Sequence, residues 1–102
     1  MFGFQPIRSI TPDQLPALLH TPHHQLIDVR EPSEFRSGHI SGAKNVPLAR
    51  ISQYTPPSNT KLYVICHSGA RSKRAYKQLH KRGIDVTNVA GGMLAWSGRT
   101  VS

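Results

Sequence analysis

The run Leu62-Tyr63-Val64-Ile65-Cys66 limits the fold more than any other segment, because its apolar residues are consecutive rather than alternate. A strand with one face in water alternates polar and apolar side chains; one without alternation is covered on both faces, as in a parallel sheet. Runs at residues 25–28 and 86–90 read as strands of the same sheet. Each of these runs leads into turn residues and then into a segment that can be helical. Strands alternating with helices predict an α/β fold, a central parallel sheet flanked by helices on both faces. Weaker strand signals stand at residues 4–8 and 44–46.

A chain of 102 residues has room for one domain and not two. Neither repeats nor a linker interrupt it, and Pro56-Pro57-Ser58-Asn59 reads as a turn inside it. Thr11-Pro12-Asp13-Gln14 has the pattern of a helix start, with Leu15, Leu18 and Leu19 as its apolar face. Pro16 lacks a backbone donor, so this helix is expected to be short or irregular. The helix beginning near Arg71 is the best defined: Ser72, Ala75, Tyr76 and Leu79 form one stripe at helical spacing. Gly83 is placed to stop it, with Lys81 and Arg82 favourable in its last turn. Lys73 and Arg74 fall in its first turn, where the helix dipole disfavours cations. Such a breach of a local rule marks either a functional position or a solvated basic face.

Charge narrows the partners. Thirteen Lys and Arg stand against five Asp and Glu, a formal net charge of +8. The cations are dispersed before position 70, and no aromatic residues interleave with the later cluster as a single-strand nucleic-acid binder requires. A small anion is the better match. No apolar stretch approaches the ~18 residues of a membrane span, and residues 1–6 show no export signal. One cysteine cannot form an internal disulfide, which agrees with a reducing compartment; the cytoplasm is the expected location. His23 and His24 are adjacent without further ligands at metal spacing, so no metal is expected. Gly91-Gly92 opens no dinucleotide loop and reads as a tight turn letting backbones pack closely; no cofactor is implied.

Cys66 and Asp28 both close strands, and in open α/β sheets ligands bind outside the carboxyl ends of strands. After Cys66 come His67, Ser68, Gly69 and Ala70, a loop able to turn backbone N–H groups inward as an anion nest. The following helix adds its positive end. Read from these residues alone, Cys66 is either a thiolate nucleophile or an inert cysteine closing an apolar strand. Gly69, Ser68, Ser72 and Arg71 favour the nucleophile, since a structural cysteine needs none of them.

Three motifs then line up in order. Leu26-Ile27-Asp28-Val29-Arg30-Glu31, Glu34-Phe35, Gly38-His39-Ile40, Gly42-Ala43 and Asn45-Val46-Pro47 resemble the N-terminal signature of single-domain rhodaneses. Cys66-His67-Ser68-Gly69-Ala70-Arg71-Ser72 resembles the active-site loop of that family, and Gly91-Gly92-Met93 with Ala95-Trp96 its C-terminal signature. The resemblance runs from about residue 7 to 96; the stretch 97–102 is shorter than the family's usual end. It implies a sulfurtransferase in which Cys66 carries sulfane sulfur as a persulfide. The donor would be thiosulfate or a persulfide, and the acceptor a thiol, cyanide or a protein cysteine. Backbone N–H groups of residues 67–72 would hold the charged sulfur, and Arg71 would bind a sulfonate-like group. Related phosphatases and arsenate reductases place five residues between Cys and Arg; here there are four, a nest sized for one sulfur atom. A non-catalytic partner-binding module is the remaining alternative.

Around this loop, Asp28 is expected to accept backbone hydrogen bonds rather than act as an acid. Arg30 and Glu34, four apart, read as a local ion pair, and His39 as a residue that orders a turn. Phe35 and Trp96 are expected in the core, and His67 either at the rim of the site or packed in the loop.

Overall fold

The computed structural model describes residues 6–102. Its centre is a five-stranded, wholly parallel sheet of β1 (Ser9–Ile10), β2 (His24–Asp28), β3 (Lys44–Asn45), β4 (Lys61–Ile65) and β5 (Val86–Val89), ordered β1-β5-β4-β2-β3. The longest apolar run therefore occupies the middle position, β4. Its side chains divide by parity. Leu62 and Val64 meet Ile27, Val29 and Val86 on one face, where Ala75, Tyr76 and Leu79 of α3 (Ala70–Lys81) cover them. Tyr63 and Ile65 join Leu26 and Val89 on the other, under Leu15 of α1 (Leu15–Leu19) and Ile40. Both faces of β4 are dry, which is why its sequence does not alternate. Each fully buried Leu, Ile or Val contributes about 1.5–3 kcal/mol relative to exposure.

The expected helix at Thr11 begins as a 3-10 turn, Pro12–Gln14, before five α-helical residues follow. Gln14 Oε1 accepts the Thr11 N–H at 3.0 Å, one half of a capping box. Pro16 accounts for the irregular shape, as its missing donor predicts. The first strand lies at Ser9–Ile10 rather than at 4–8, of which residues 4 and 5 fall outside the described residues. In α3 the whole stripe Ser72, Ala75, Tyr76 and Leu79 is buried. That helix closes after Arg82, where Gly83 donates to His80 O at 2.9 Å and Ile84 to Leu79 O at 3.1 Å.

Register positions the site. Asp28 lies opposite Ile65 in the β2–β4 pairing, so the two strands end level. The loops leaving them, toward α2 (Pro32–Arg36) and α3, are side by side at the carboxyl edge of the sheet.

Candidate active site

Cys66 stands one residue beyond β4 and is 1% exposed. The chain then turns sharply at Gly69, whose φ of +118° an L side chain rarely adopts, and α3 begins at Ala70. A helix start leaves its first N–H groups without acceptors, and Gly69, the residue at the cap, has no side chain to supply one. The sulfur fills that role. Gly69 N–H and Ser72 N–H donate to Cys66 Sγ, at N···S distances of 3.0 and 3.3 Å. The Ser72 hydroxyl lies 3.5 Å from Sγ and 3.1 Å from the Gly69 carbonyl.

Burial by itself pushes the Cys66 thiol up, because a thiolate loses hydration there. The Ser72 hydroxyl and the N–H groups of Ser72, Gly69 and Arg71 act the other way and together hold it below the ordinary thiol value. Ser72 has a single hydroxyl proton to place. Beside a neutral thiol it can donate to the Gly69 carbonyl while the S–H donates to its oxygen. Beside a thiolate it can turn to the sulfur. A small rotation thus follows ionisation without leaving a buried group unsatisfied.

The sequence expectation for Arg30 and Glu34 is corrected here. Arg30 pairs with Asp28 instead: its Nε donates at 3.0 Å and its terminal nitrogen at 2.8 Å to the two carboxylate oxygens. Asp28 also accepts the Arg30 N–H at 3.0 Å, and the guanidinium donates onward to Gly38 O at 2.8 Å. The reason is geometric. Both residues sit in the bend leaving β2, buried, with the Asp28 carboxylate two residues back, while the Glu34 carboxylate is turned to Arg71. Asp28 does accept a backbone N–H as expected, but from its own loop.

Glu34 reaches across to Arg71, with N···O distances of 2.6 and 3.0 Å in a two-pronged contact. The hydrogen bond from Arg71 is the main cause that lowers the Glu34 carboxyl to about 2. Arg71 thus leans on α2, while its charge still acts on Cys66. Four of the loop residues named from sequence divide by exposure: His67, Ser68 and Ala70 are exposed at the rim, and Gly69 is buried beneath. Sequence reasoning missed Glu34 as the partner of Arg71. Thirty-seven positions separate the two, and no local pattern signals such a contact.

A second buttress comes from the C-terminal turn. Met93 N–H donates to Cys66 O at 2.8 Å and Leu94 N–H to His67 O at 3.0 Å. A Cβ on Gly92 would lie 2.5 Å from Cys66 O, so only glycine lets these backbones meet. This is the tight turn read from Gly91-Gly92, now with its partner identified. His39 orders a turn as expected, its Nδ1 lying 2.8 Å from Phe35 O. Phe35, expected in the core, is half-buried and stacks on the His39 ring with centroids 3.6 Å apart. Trp96 packs half-buried against the cluster under α1. Surface cavities of about 630 and 470 Å³ lie elsewhere, lined by residues such as Pro47 and Tyr54 or Leu19 and Trp96. Cys66 lines neither; its own cradle closes tightly on one sulfur atom.

The profile of the rhodanese-like domain matches residues 11–99. The Bacillus subtilis protein YqhL, itself uncharacterised, is 44% identical over 78 residues, covering 74% of this chain and 62% of that protein. A putative sulfur carrier protein of the same organism, YrkF, is 38% identical, and the chain spans 42% of it. The chain thus spans less than two thirds of these curated relatives. The thiosulfate sulfurtransferase GlpE of Shewanella oneidensis is 28% identical, with 87% of this chain and 91% of that protein covered. Among solved structures, a rhodanese-like domain protein from Staphylococcus aureus superposes with a TM-score of 0.83 at 36% identity, over 94% of this chain and 99% of that one. The family profile covers most of the chain, and the chain belongs to the rhodanese-like domain family.

Proposed function

We infer that the protein is a sulfurtransferase working through a Cys66 persulfide. The observation that carries this reading is the pair of N–H contacts to Sγ, joined by the Ser72 hydroxyl, in a loop closed on a single sulfur atom. With thiosulfate as donor, the Cys66 thiolate attacks the outer sulfur, a new S–S bond forms, and sulfite leaves with the electron pair of the broken bond. An acceptor nucleophile, whether a thiolate, cyanide or a protein cysteine, then attacks the outer sulfur and returns Cys66 as thiolate. Sulfur is nucleophile and leaving group in turn, so the cycle calls for no cofactor and no metal. Arg71 keeps N–H groups beyond the two that engage Glu34, and these are suited to the sulfonate end of the donor. The single cysteine makes the acceptor external and agrees with a reducing compartment such as the cytoplasm. No helix among the described residues is long and apolar enough to cross a membrane.

Phosphatase or arsenate-reducing chemistry fits less well. Four residues rather than five separate Cys66 from Arg71, so the loop is one residue shorter than one sized for a tetrahedral oxyanion. A purely partner-binding module would not need a thiol held below its ordinary value.

Incubation with thiosulfate should add one sulfur atom to the intact mass, and cyanide should then release thiocyanate. Cys66→Ser should do neither. Equal thiocyanate from wild type and variant would remove thiosulfate as donor.

A further inference from the structure

We propose that the acceptor of the Cys66 sulfur is an acidic protein presenting its own cysteine, docked along the exposed face of α3 and against Leu94. The proposal rests on the sulfur-transfer reading and names the partner of that same site. Its basis is the charge on α3. Within Ala70–Lys81 stand Arg71, Lys73, Arg74, Lys77 and Lys81, and no Asp or Glu. Arg71 is neutralised by Glu34. Lys73, Lys77 and Lys81 follow one another at four-residue spacing with Arg74 alongside, all exposed and opposite the buried stripe. Among the described residues, none of these four enters an ion pair.

Stability alone does not favour such a helix. Like charges four apart repel, and cations in the first turn oppose the helix dipole. The stripe begins where the helix forms the sulfur cradle and runs outward from it, over about 12 Å between Lys73 and Lys81 at 1.5 Å per residue. A thiosulfate ion held at the loop is too small to reach its far end, since charges beyond about a Debye length of 8–10 Å are screened. A protein surface is long enough.

Leu94 supplies the apolar contact. Its side chain is 68% exposed, and its N–H holds the His67 carbonyl, which places it beside the loop. A single exposed leucine is ordinary; one held against the loop from which the basic helix starts has the make-up of an interface anchor and its charged rim. Cys66 lies too deep for a blunt surface, but its persulfide extends the reactive sulfur outward by one S–S bond, about 2 Å. The docked cysteine thiolate would attack that outer sulfur, forming its own persulfide and releasing the Cys66 thiolate.

The test uses short cysteine peptides, glutamate-rich, neutral or lysine-rich, as acceptors from the persulfide formed with thiosulfate. The glutamate-rich peptide should react about tenfold faster than the lysine-rich one at low salt, and the gap should close near about 0.3 M salt. Lys77→Glu with Lys81→Glu should remove that preference and leave thiocyanate formation from thiosulfate and cyanide unchanged; Lys77→Gln with Lys81→Gln should weaken it, with melting curves confirming the fold. Equal rates for the three wild-type reactions would overturn the proposal. So would an unaltered preference in folded variants, or peptide rates without preference accompanied by tight duplex DNA binding. Should thiosulfate load no sulfur, the sulfur-transfer reading fails by that separate result. Disulfide exchange of Cys66 with the same peptides, activated as mixed disulfides, still reads the surface: absence of charge preference there overturns the docking.

Discussion

Two loops leave neighbouring strands at the same level, and each begins with a potential anion and holds an arginine. After β2 the anion is the Asp28 carboxylate, gripped by the guanidinium of Arg30 and by its backbone N–H, with both residues buried. After β4 it is the Cys66 sulfur, touched by N–H groups and a hydroxyl, while the arginine of that loop turns to Glu34. A carboxylate in a two-pronged ion pair is satisfied and chemically silent. A thiolate held by dipoles keeps its lone pairs for a substrate. One loop is a lock and the other a nucleophile. Arg71 and Glu34 join them, so the locked loop fixes α2 and α2 steadies the reactive loop.

The largest effect should come from the lock. Asp28→Ala leaves the Arg30 charge buried without a partner and should lower unfolding free energy by about 3–5 kcal/mol in urea titration. Replacing both, as Asp28→Leu with Arg30→Met, should restore a substantial part of it. A loss under about 1 kcal/mol for the single change would mean that the two loops do not differ in this way.

On the reactive side, Ser72→Ala removes the hydroxyl that helps stabilise the thiolate. Wild-type Cys66 ionises below the ordinary thiol value, so iodoacetamide alkylation should rise with pH through that lowered value. In the variant the inflection should move upward, and the rate at neutral pH should fall severalfold. The same sign governs stability: the thiolate contacts contribute fully above the ordinary value and are lost as pH falls through the lowered one. An unmoved inflection would assign the lowering to the backbone N–H groups alone.

The smallest effect tests the link. Glu34 is about a third exposed, so its pair with Arg71 is worth about 0.2–1 kcal/mol. Its carboxyl is lowered from 4.5 to about 2, so this contribution is complete above 4.5 and lost as pH falls through about 2. Glu34→Gln should flatten the acid limb of the stability curve over that window. It should also free Arg71, changing the thiosulfate KM more than the cyanide step. A KM equal to wild type would separate α2 from the site.

Much of this molecule is written in short-range patterns. The unbroken run at residues 62–66 predicts a strand dry on both faces, and the stripe Ser72, Ala75, Tyr76 and Leu79 predicts the buried side of α3. Cys66, Gly69 and Ser72 can be read as a cradle because each lies within one helix start of the next, where backbone geometry allows few alternatives. Pairings between distant segments follow another rule. Spacing along the chain joins Arg30 to Glu34; the bend after β2 joins Arg30 to Asp28 and leaves Glu34 for Arg71. Gly92 announces a turn, but only the folded chain shows the carbonyl of Cys66 that a Cβ would strike. Periodicity and turn chemistry act through neighbours in sequence, whereas ion pairs and backbone buttresses are settled by which loops the sheet register brings level.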